Sequence, residues 1–186
     1  EKHVFLSKKK KKIEFLYKKA DKILISNIKK LNLDFKDRTI EYPNLAIKYL
    51  EVISKKIKKY NGALLTFDYG YTKGKSYNSL QSVKKHKYTN ILNQPGNSDI
   101  THHINFKLFS KILKKNNLYV KKITTQSEFL QKLGIIERAD MMSKKMNFKE
   151  KADMYFRLKK LLHSNEMGTL FKVLLAQKNK KFSLGF

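Results

Sequence analysis

The chain lacks cysteine and long apolar runs. Because none of its 186 residues is cysteine, disulfide bridges and thiolate metal sites are excluded, and a reducing compartment is allowed. No apolar stretch approaches the roughly 20 residues needed to span a bilayer, so we predict no membrane span. Glycine-rich phosphate loops, His-Glu-x-x-His and Gly-x-Ser-x-Gly are also absent, which argues against nucleotide triphosphatases and hydrolases.

Acidic residues and arginine are scarce, whereas lysine is abundant. The 42 basic and 15 acidic residues give a net charge of +27, which by itself favours binding to a polyanion. Only Arg38, Arg138 and Arg157 are arginines, although bidentate contacts to phosphate and guanine favour arginine. Since the lysines are spread along the whole chain, we expect most of them on solvated faces. A nucleic-acid-binding module is the less favoured alternative.

The remaining composition is that of a folded domain. Hydrophobic residues make up 41% and aromatic residues 12% of the chain, which predicts a packed core. The first residue is Glu1, not Met, and Val4–Leu6 is typical of the middle of a strand. We therefore expect a chain truncated at its amino end, so an upstream targeting segment is not excluded.

Apolar periodicity predicts an α/β fold with a mostly parallel, Rossmann-like sheet. The predicted strands flank a solvated turn at Lys8–Lys12 and then lie at 39–43, 62–68, 118–124 and, antiparallel, 169–176. One predicted helix begins at a capping Asn44, ends near Tyr60, and has an apolar face of Leu45, Tyr49, Val52, Ile53 and Ile57. A helical insert is predicted at about 126–163, with turns near Gly134 and Asn147.

Two further segments complete the predicted elements. A helix with the apolar residues Phe106, Phe109, Ile112 and Leu113 follows a cap at Asn105 or Asp99. From Gly70 to Ser98 the sequence is typical of a loop, and loops of this length inside a compact domain are usually functional.

The most informative segment is Gly62–Gly70, an apolar strand that ends in Asp68, Tyr69 and Gly70. Ligands of open α/β sheets bind at the carboxyl edge of the strands, which makes these residues candidates for a site. Asp68 would hold a cation or accept a proton, Tyr69 would stack on a substrate, and Gly70 would permit close backbone approach. The structural alternative is that Asp68 caps the following loop and Tyr69 packs.

Other polar clusters have ordinary structural explanations beside the functional ones. Adjacent His102 and His103 do not share a helix face, so we predict no metal site. Asp99 and Thr101 are either helix caps or site residues, and His86 is either structural or a general base. Thr125 and Glu128 match a capping box before the predicted insert.

Taken in order, seven segments resemble the carboxyl-terminal half of the MidA family of S-adenosylmethionine-dependent methyltransferases. The family includes a mitochondrial assembly factor that methylates an arginine of a respiratory complex I subunit. The matching segments are Glu41–Pro43, Gly62–Tyr71, Ser79–Tyr88, Asn93–Phe106, Thr125–Ile135, Glu137–Ala139 and Glu166–Leu174.

The resemblance also marks what this sequence does not contain. The family's glycine-rich cofactor loop and its acidic ribose-binding strand end lie upstream of the matching segments. The expected domain organisation is therefore the carboxyl-terminal portion of one methyltransferase domain over residues 1–186, without the cofactor-binding part. The usual Asp-Thr-Leu-Gln of the family is Asn78–Gln81 here, so one carboxylate is missing.

The resemblance implies the activity and the site. It implies S-adenosylmethionine as cofactor of the intact protein and a protein substrate, with an arginine of a complex I subunit as the acceptor. Bidentate carboxylates can orient a guanidinium. The implied catalytic residues are Asp68 and Asp99, and the implied substrate-binding residues are Tyr69, Gly70, His86, Thr101 and Gln126.

Two matters stay open at this stage. A non-catalytic assembly factor or chaperone of the same fold shares the same sequence half, so it is an alternative to the enzyme. The expected location is a bacterial cytoplasm, or the mitochondrial matrix if the protein is eukaryotic.

Overall fold

The computed structural model describes residues 1–7, 12–33, 39–72, 78–93, 96–181 and 183–186. In chain order the strands are β1 Lys2–Ser7, β2 Lys12–Tyr17, β3 Ala63–Tyr71, β4 Gln81–Lys84, β5 Lys87–Thr89, β6 Asp99–Thr101, β7 Ile104–Asn105, β8 Tyr119–Val120, β9 Thr124–Thr125 and β10 Phe171–Gln177. The helices are α1 Lys22–Lys30, α2 Asn44–Tyr60, α3 Phe106–Lys115, α4 Gln126–Lys132, α5 Ile135–Ser143, α6 Phe148–Leu162 and α7 Met167–Leu170. These elements form two compact units, one within Glu1–Tyr42 and Lys75–His103 and the other within Pro43–Gly74 and Ile104–Phe186.

The first unit begins with an antiparallel hairpin. β1 pairs with β2 from Lys2 opposite Tyr17 to Ser7 opposite Lys12, which confirms the two strands predicted on either side of the lysine run. The run itself, apart from Lys12, lies outside the described residues. After the hairpin, Asp21 caps α1 by accepting a hydrogen bond from the backbone N–H of Ile23 at 2.8 Å.

The first unit also contains a three-stranded antiparallel sheet in the order β5-β4-β6. A two-residue turn joins β4 to β5, and both of its residues, Lys85 and His86, have positive φ, as in the type I′ turns that suit hairpins. The prediction of a continuous loop from Gly70 to Ser98 is therefore wrong for these strands. The sequence did not predict β4 as a strand because its residues, Gln-Ser-Val-Lys, lack the alternation of apolar and polar residues. Gly74 and Pro95, also assigned to that loop, lie outside the described residues.

The second unit is built on a curled sheet with strand order β7-β3-β10-β8, in which β9 also pairs with β10. The antiparallel direction predicted for the last strand is confirmed, because Phe171 lies opposite Tyr69 and Gln177 opposite Ala63. Among the described strands of this sheet only β3 and β7 are parallel, so the prediction of a mostly parallel sheet is wrong for this chain. β10 starts at the carboxyl end of β3 and therefore runs back along it. The strand predicted at 118–124 consists of two short segments, β8 and β9.

Helix α2 has the predicted length, but of the predicted face only Ile57 is fully buried. Its buried residues are Ile47, Leu50, Ser54 and Ile57, whereas Leu45, Tyr49 and Val52 of the predicted face are exposed. The helix carries two apolar stripes, and packing against α3 selects one of them. Pro43, not Asn44, occupies the cap position, and it makes no side-chain cap bond. The short strand predicted at 39–43 does not form.

The helices around the core follow the sequence more closely. Phe106, Ile112 and Leu113 of α3 are buried, and the Asn105 side chain caps that helix through the N–H of Leu108 at 3.0 Å. The helical insert is confirmed as α4, α5 and α6. Its predicted turns fall at Gly134, which has a φ of +79°, and at Asn147, which caps α6.

Candidate functional site

The strand that carries Asp68 continues further than predicted. β3 ends at Tyr71, not at Asp68, because Tyr69 pairs with Phe171 and Gly70 pairs with Ile104. Asp68 thus lies within the strand, near its carboxyl end. It is partly buried, and its Oδ1 accepts a hydrogen bond from the backbone N–H of Tyr69 at 2.8 Å.

Asp68 belongs to a polar row that crosses three strands. Lys172 of β10 lies opposite Asp68 on one side and opposite Thr125 of β9 on the other. The ammonium group of Lys172 donates to the backbone carbonyls of Thr169 and Leu170. Burial lowers the pKa of Lys172, and the nearby Glu128 carboxylate opposes that shift. The row thus places Lys172 opposite the candidate carboxylate in the sheet, with its ammonium group bound to backbone carbonyls.

The predicted capping box at the start of α4 is confirmed. The Glu128 carboxylate accepts from the Thr124 hydroxyl at 2.5 Å and from the Thr125 N–H at 3.1 Å, while the Thr125 hydroxyl accepts from the Glu128 N–H at 3.2 Å. The Thr124 hydroxyl, followed by the Thr125 N–H, lowers the pKa of Glu128. These contacts fix the end of β9 beside the polar row.

Gly70 and Tyr69 both have close neighbours in their own unit. A side chain at Gly70 would collide with the Ile104 carbonyl and the Phe106 ring, so the backbone that approaches this glycine is the chain's own. The Tyr69 ring packs edge-to-face on Phe171 with 5.7 Å between the ring centroids. These contacts fit the structural alternative, and the substrate-binding roles of Tyr69 and Gly70 stay predictions.

Gln126, predicted to contact substrate, is buried at the start of α4. Its side-chain amide donates to the Leu161 carbonyl of α6 at 3.0 Å. This bond ties two helices of the insert together and uses the amide group for packing.

The other three candidates lie in the first unit. Asp99 and Thr101 are in β6, so the alternative that they cap a helix is wrong. The Thr101 hydroxyl accepts from the Gln81 side-chain amide at 3.1 Å, and Asp99 lies opposite Val83. His86 is exposed in the turn between β4 and β5. The candidates thus fall into two groups, with Asp68, Tyr69, Gly70 and Gln126 in the second unit.

Sequence reasoning missed a carboxylate that organises the first unit. The two oxygens of Glu41 accept from the N–H of Ser79 at 2.7 Å and from its hydroxyl at 2.6 Å. The Ser79 hydroxyl in turn accepts from the N–H of His103 at 2.8 Å, just after β6. The only sequence signal was the presence of Glu41 and Ser79 in two of the matching segments.

A second missed residue is Thr66, two positions before Asp68 on the same face of β3. Its hydroxyl oxygen is buried and has no hydrogen-bond partner among the described residues. Buried hydroxyls are nearly always paired with protein or water, so Thr66 marks a place where a water or ligand atom would be stabilised.

The described ranges lack a metal-binding cluster and a membrane-spanning helix. They contain no group of three or more His, Cys, Asp or Glu placed to hold a metal ion. No helix within them is long and apolar enough to cross a membrane.

Comparison with protein families gives a match over most of the chain. Residues 2–124 match the model of a family described as "Putative S-adenosyl-L-methionine-dependent methyltransferase". Among curated proteins, the chain is 26% identical over 131 residues to protein arginine methyltransferase NDUFAF7, mitochondrial, of Xenopus tropicalis, covering 70% of this chain and 30% of that protein. It is 31% identical over 86 residues to the Caenorhabditis elegans homolog, covering 46% of this chain and 20% of the homolog.

Solved structures share the fold. A crystal structure of an uncharacterized superfamily protein from Burkholderia thailandensis superposes with a TM-score of 0.81 at 18% identity, over 99% of this chain and 50% of that one. A second member from the same organism, bound to S-adenosyl-homocysteine, superposes with a TM-score of 0.77 at 18% identity, over 99% and 48%. The chain spans half or less of the length of these relatives.

Proposed function

The chain belongs to the family of S-adenosyl-L-methionine-dependent methyltransferases, and from this premise we propose that its protein methylates an arginine of another protein. The observation that carries the proposal is the family match over residues 2–124. The curated relatives, whose names specify protein arginine methyltransferase, support the choice of acceptor.

The cofactor under this proposal is S-adenosylmethionine, and the related structure bound to S-adenosyl-homocysteine supports that choice. When bound, the cofactor supplies an electrophilic methyl group. The described residues fit the acceptor side of such a reaction better than the cofactor side. The space beside Gly70, near the end of the strand, is occupied by the backbone of Ile104, so a nucleoside cannot approach this glycine there. Asp68, in contrast, is a carboxylate suited to a cationic acceptor.

Asp68 has the role of orienting the acceptor guanidinium. Methyl transfer requires alignment of donor and acceptor, and a carboxylate that binds two guanidinium N–H groups fixes the plane of the acceptor. The hydrogen bond from the Tyr69 N–H holds one oxygen of Asp68 in place.

The finer proposal is that the acceptor arginine belongs to a subunit of respiratory complex I. It rests on the resemblance of the seven segments to a family that includes a complex I assembly factor. The names of the curated relatives specify a mitochondrial protein, which supports the mitochondrial matrix as the location if this protein is eukaryotic. A bacterial cytoplasm remains the prediction for a bacterial protein.

The experiment that tests the function is a methyl-transfer assay on the longest natural form of the protein. We expect incorporation of labelled methyl groups into arginine of a complex I fraction. The Asp68→Asn variant should lose most of this transfer and retain its affinity for S-adenosyl-homocysteine. Asp153→Asn, an exposed carboxamide exchange on α6, is the matched control and should behave like the wild type.

Two results would contradict parts of the proposal. Wild-type turnover in Asp68→Asn would remove the role of that residue. Full support of complex I assembly without any methyl transfer would favour the binding-only alternative, a chaperone or assembly factor of the same fold.

The 186-residue chain by itself should not bind S-adenosylmethionine measurably, because its sequence contains no glycine-rich cofactor loop. Isothermal calorimetry with S-adenosyl-homocysteine checks this expectation. Saturable binding to the chain alone would show that the residues described above suffice for the cofactor.

A further inference from the structure

The sheet of the first unit has one face rich in hydrogen-bond acceptors. Val83 lies opposite Tyr88 of β5 and opposite Asp99 of β6, and Gln81 lies opposite Thr101. Because successive side chains alternate across a strand, these residues project to the same side. We call this surface the acceptor face, and it consists of Gln81, Val83, Tyr88, Asp99 and Thr101.

The polar groups of the acceptor face leave their acceptors available. Gln81 uses its amide nitrogen to donate to Thr101 at 3.1 Å, which leaves its carbonyl oxygen. Asp99 is exposed, and no lysine or arginine nitrogen lies within 4.0 Å of its carboxylate in the part of the chain that the structure describes. The Tyr88 side chain is 79% exposed. The face therefore presents a carboxylate, an amide oxygen and an aromatic ring to solvent.

The two lysines in the described strands of this sheet lie on its other side. Lys84 and Lys87 lie opposite each other on β4 and β5, one position along from Val83 and Tyr88. Alternation therefore directs them to the other side. The face carries a single formal charge, that of Asp99, in a chain with a net charge of +27.

We propose that the acceptor face binds a second arginine side chain of the protein substrate, apart from the methyl acceptor that Asp68 orients. A guanidinium has five N–H donors and no acceptor, so it is the chemical complement of this surface. Tyr88 and Asp99 flank Val83 and stand about 10 Å apart, twice the spacing between neighbouring strands. A guanidinium lying over Val83 can contact the carboxylate with its N–H groups and the Tyr88 ring with its π face.

The same groups select against other ligands. Phosphate and nucleic acid need donors, and this face offers few of them despite the basic chain. An ammonium group lacks the planar fork that pairs with a carboxylate and stacks on a ring. The inference rests on the proposed function, since it takes an arginine-containing protein as the substrate. It gives Asp99 a binding role instead of a catalytic one and keeps Thr101 as a binding residue.

The test is an NMR titration of the full 186-residue chain with the capped peptide Gly-Arg-Gly and its citrulline counterpart. Citrulline replaces the guanidinium with a neutral urea of similar shape. We expect the arginine peptide to shift the resonances of residues 81–83, 88 and 99–101, and the citrulline peptide to bind at least tenfold more weakly. Asp99→Asn should weaken arginine binding about tenfold, since a charge-assisted bond is lost.

Three further variants separate recognition from folding. Tyr88→Leu should weaken binding about threefold, whereas Tyr88→Phe, which keeps the ring, should bind as the wild type does. Ile100→Ala lies on the opposite side of the same sheet and is the matched control. Amide spectra of all variants should match that of the wild type outside the substituted strand.

Either of two outcomes overturns the proposal: equal affinity for the arginine and citrulline peptides, or unchanged affinity in Asp99→Asn. The methyl-transfer assay then distinguishes this failure from failure of the proposed function. If transfer persists with an unchanged KM in Asp99→Asn, only the acceptor face is excluded as a substrate site. If the arginine peptide binds but the natural protein transfers no methyl group, arginine binding by the acceptor face is supported and the proposed methyltransferase activity is contradicted.

Discussion

The interiors of the two units are stabilised by different kinds of interaction. Every buried hydrophobic side chain in the described residues belongs to the second unit, with Phe106, Leu113 and Val173 at 1% exposure or less. The buried side chains described in the first unit are two serines, Ser79 and Ser82. Ser79 bonds to the Glu41 carboxylate, and Ser82 bonds to the Thr89 and Ser98 hydroxyls at 2.9 and 2.8 Å.

This difference predicts which kinds of substitution each unit tolerates. Apolar packing is non-directional, so the second unit accepts shape-conserving changes but is sensitive to cavities. Hydrogen bonds are directional, and a buried hydroxyl that loses its partner is destabilising, so the first unit depends on a few particular groups. The apolar core of the second unit thus holds the strand that carries Asp68 in place. The sheet of the first unit exposes a polar face to solvent.

The largest effect should come from emptying the apolar core of the second unit. Phe106→Ala should lower the free energy of unfolding by about 3–5 kcal/mol, because it removes a fully buried ring. Phe148→Ala removes the same ring from a site that is 88% exposed and should change stability by less than about 0.5 kcal/mol. Urea unfolding followed by circular dichroism measures both. Similar losses in the two variants would refute the assignment of the core.

The next effect concerns the close approach of β3 and β7. Gly70→Ala places a Cβ against the Ile104 carbonyl and should destabilise the second unit by about 1–3 kcal/mol. Gly62→Ala, just before the same strand, has open space around the added methyl and serves as its control. Thermal unfolding compares the two. A wild-type melting temperature for Gly70→Ala would show that this glycine is free to approach a ligand instead.

Glu41 tests whether hydrogen bonds organise the first unit. In Glu41→Gln, one oxygen is replaced by an amide nitrogen that faces the Ser79 hydroxyl, and we expect a loss of about 1–2 kcal/mol. Hydrogen exchange should quicken at Ser79 and His103 while the amides of β10 stay protected. Glu51→Gln on the exposed side of α2 is the control. Unchanged exchange at His103 would mean that the carboxylate does not hold β6.

The smallest effect is a pH dependence at the start of α4. Since the folded state lowers the pKa of Glu128, its contribution to stability is present above the unfolded value of about 4.3 and is lost as the pH falls through the folded pKa. Glu128→Gln should cost less than about 1 kcal/mol at pH 7 and should flatten stability between neutral and acid pH. Melting temperatures from pH 3 to 7 check this, with Glu137→Gln as control. An acid slope identical to that of the wild type would contradict the capping role.

Much of the architecture could be predicted from residues that are close together in the sequence. The bounds of α2, the turns at Gly134 and Asn147, the capping box at Thr125 and a cap at Asn105 or Asp99 were all predicted, because each depends on residues within one helical turn. The seven matching segments also indicated the family, which the comparison confirms.

Tertiary structure decided the rest, since it depends on partners distant in sequence. The sequence shows two apolar stripes on α2, and only packing against α3 chose Ile47 and Leu50 over Leu45 and Tyr49. The polar strands β4 and β6 exist because they pair with each other, and no periodicity within either announces that pairing. Likewise, Glu41 and Ser79 are 38 positions apart in the sequence, and only folding brings them into hydrogen-bond contact.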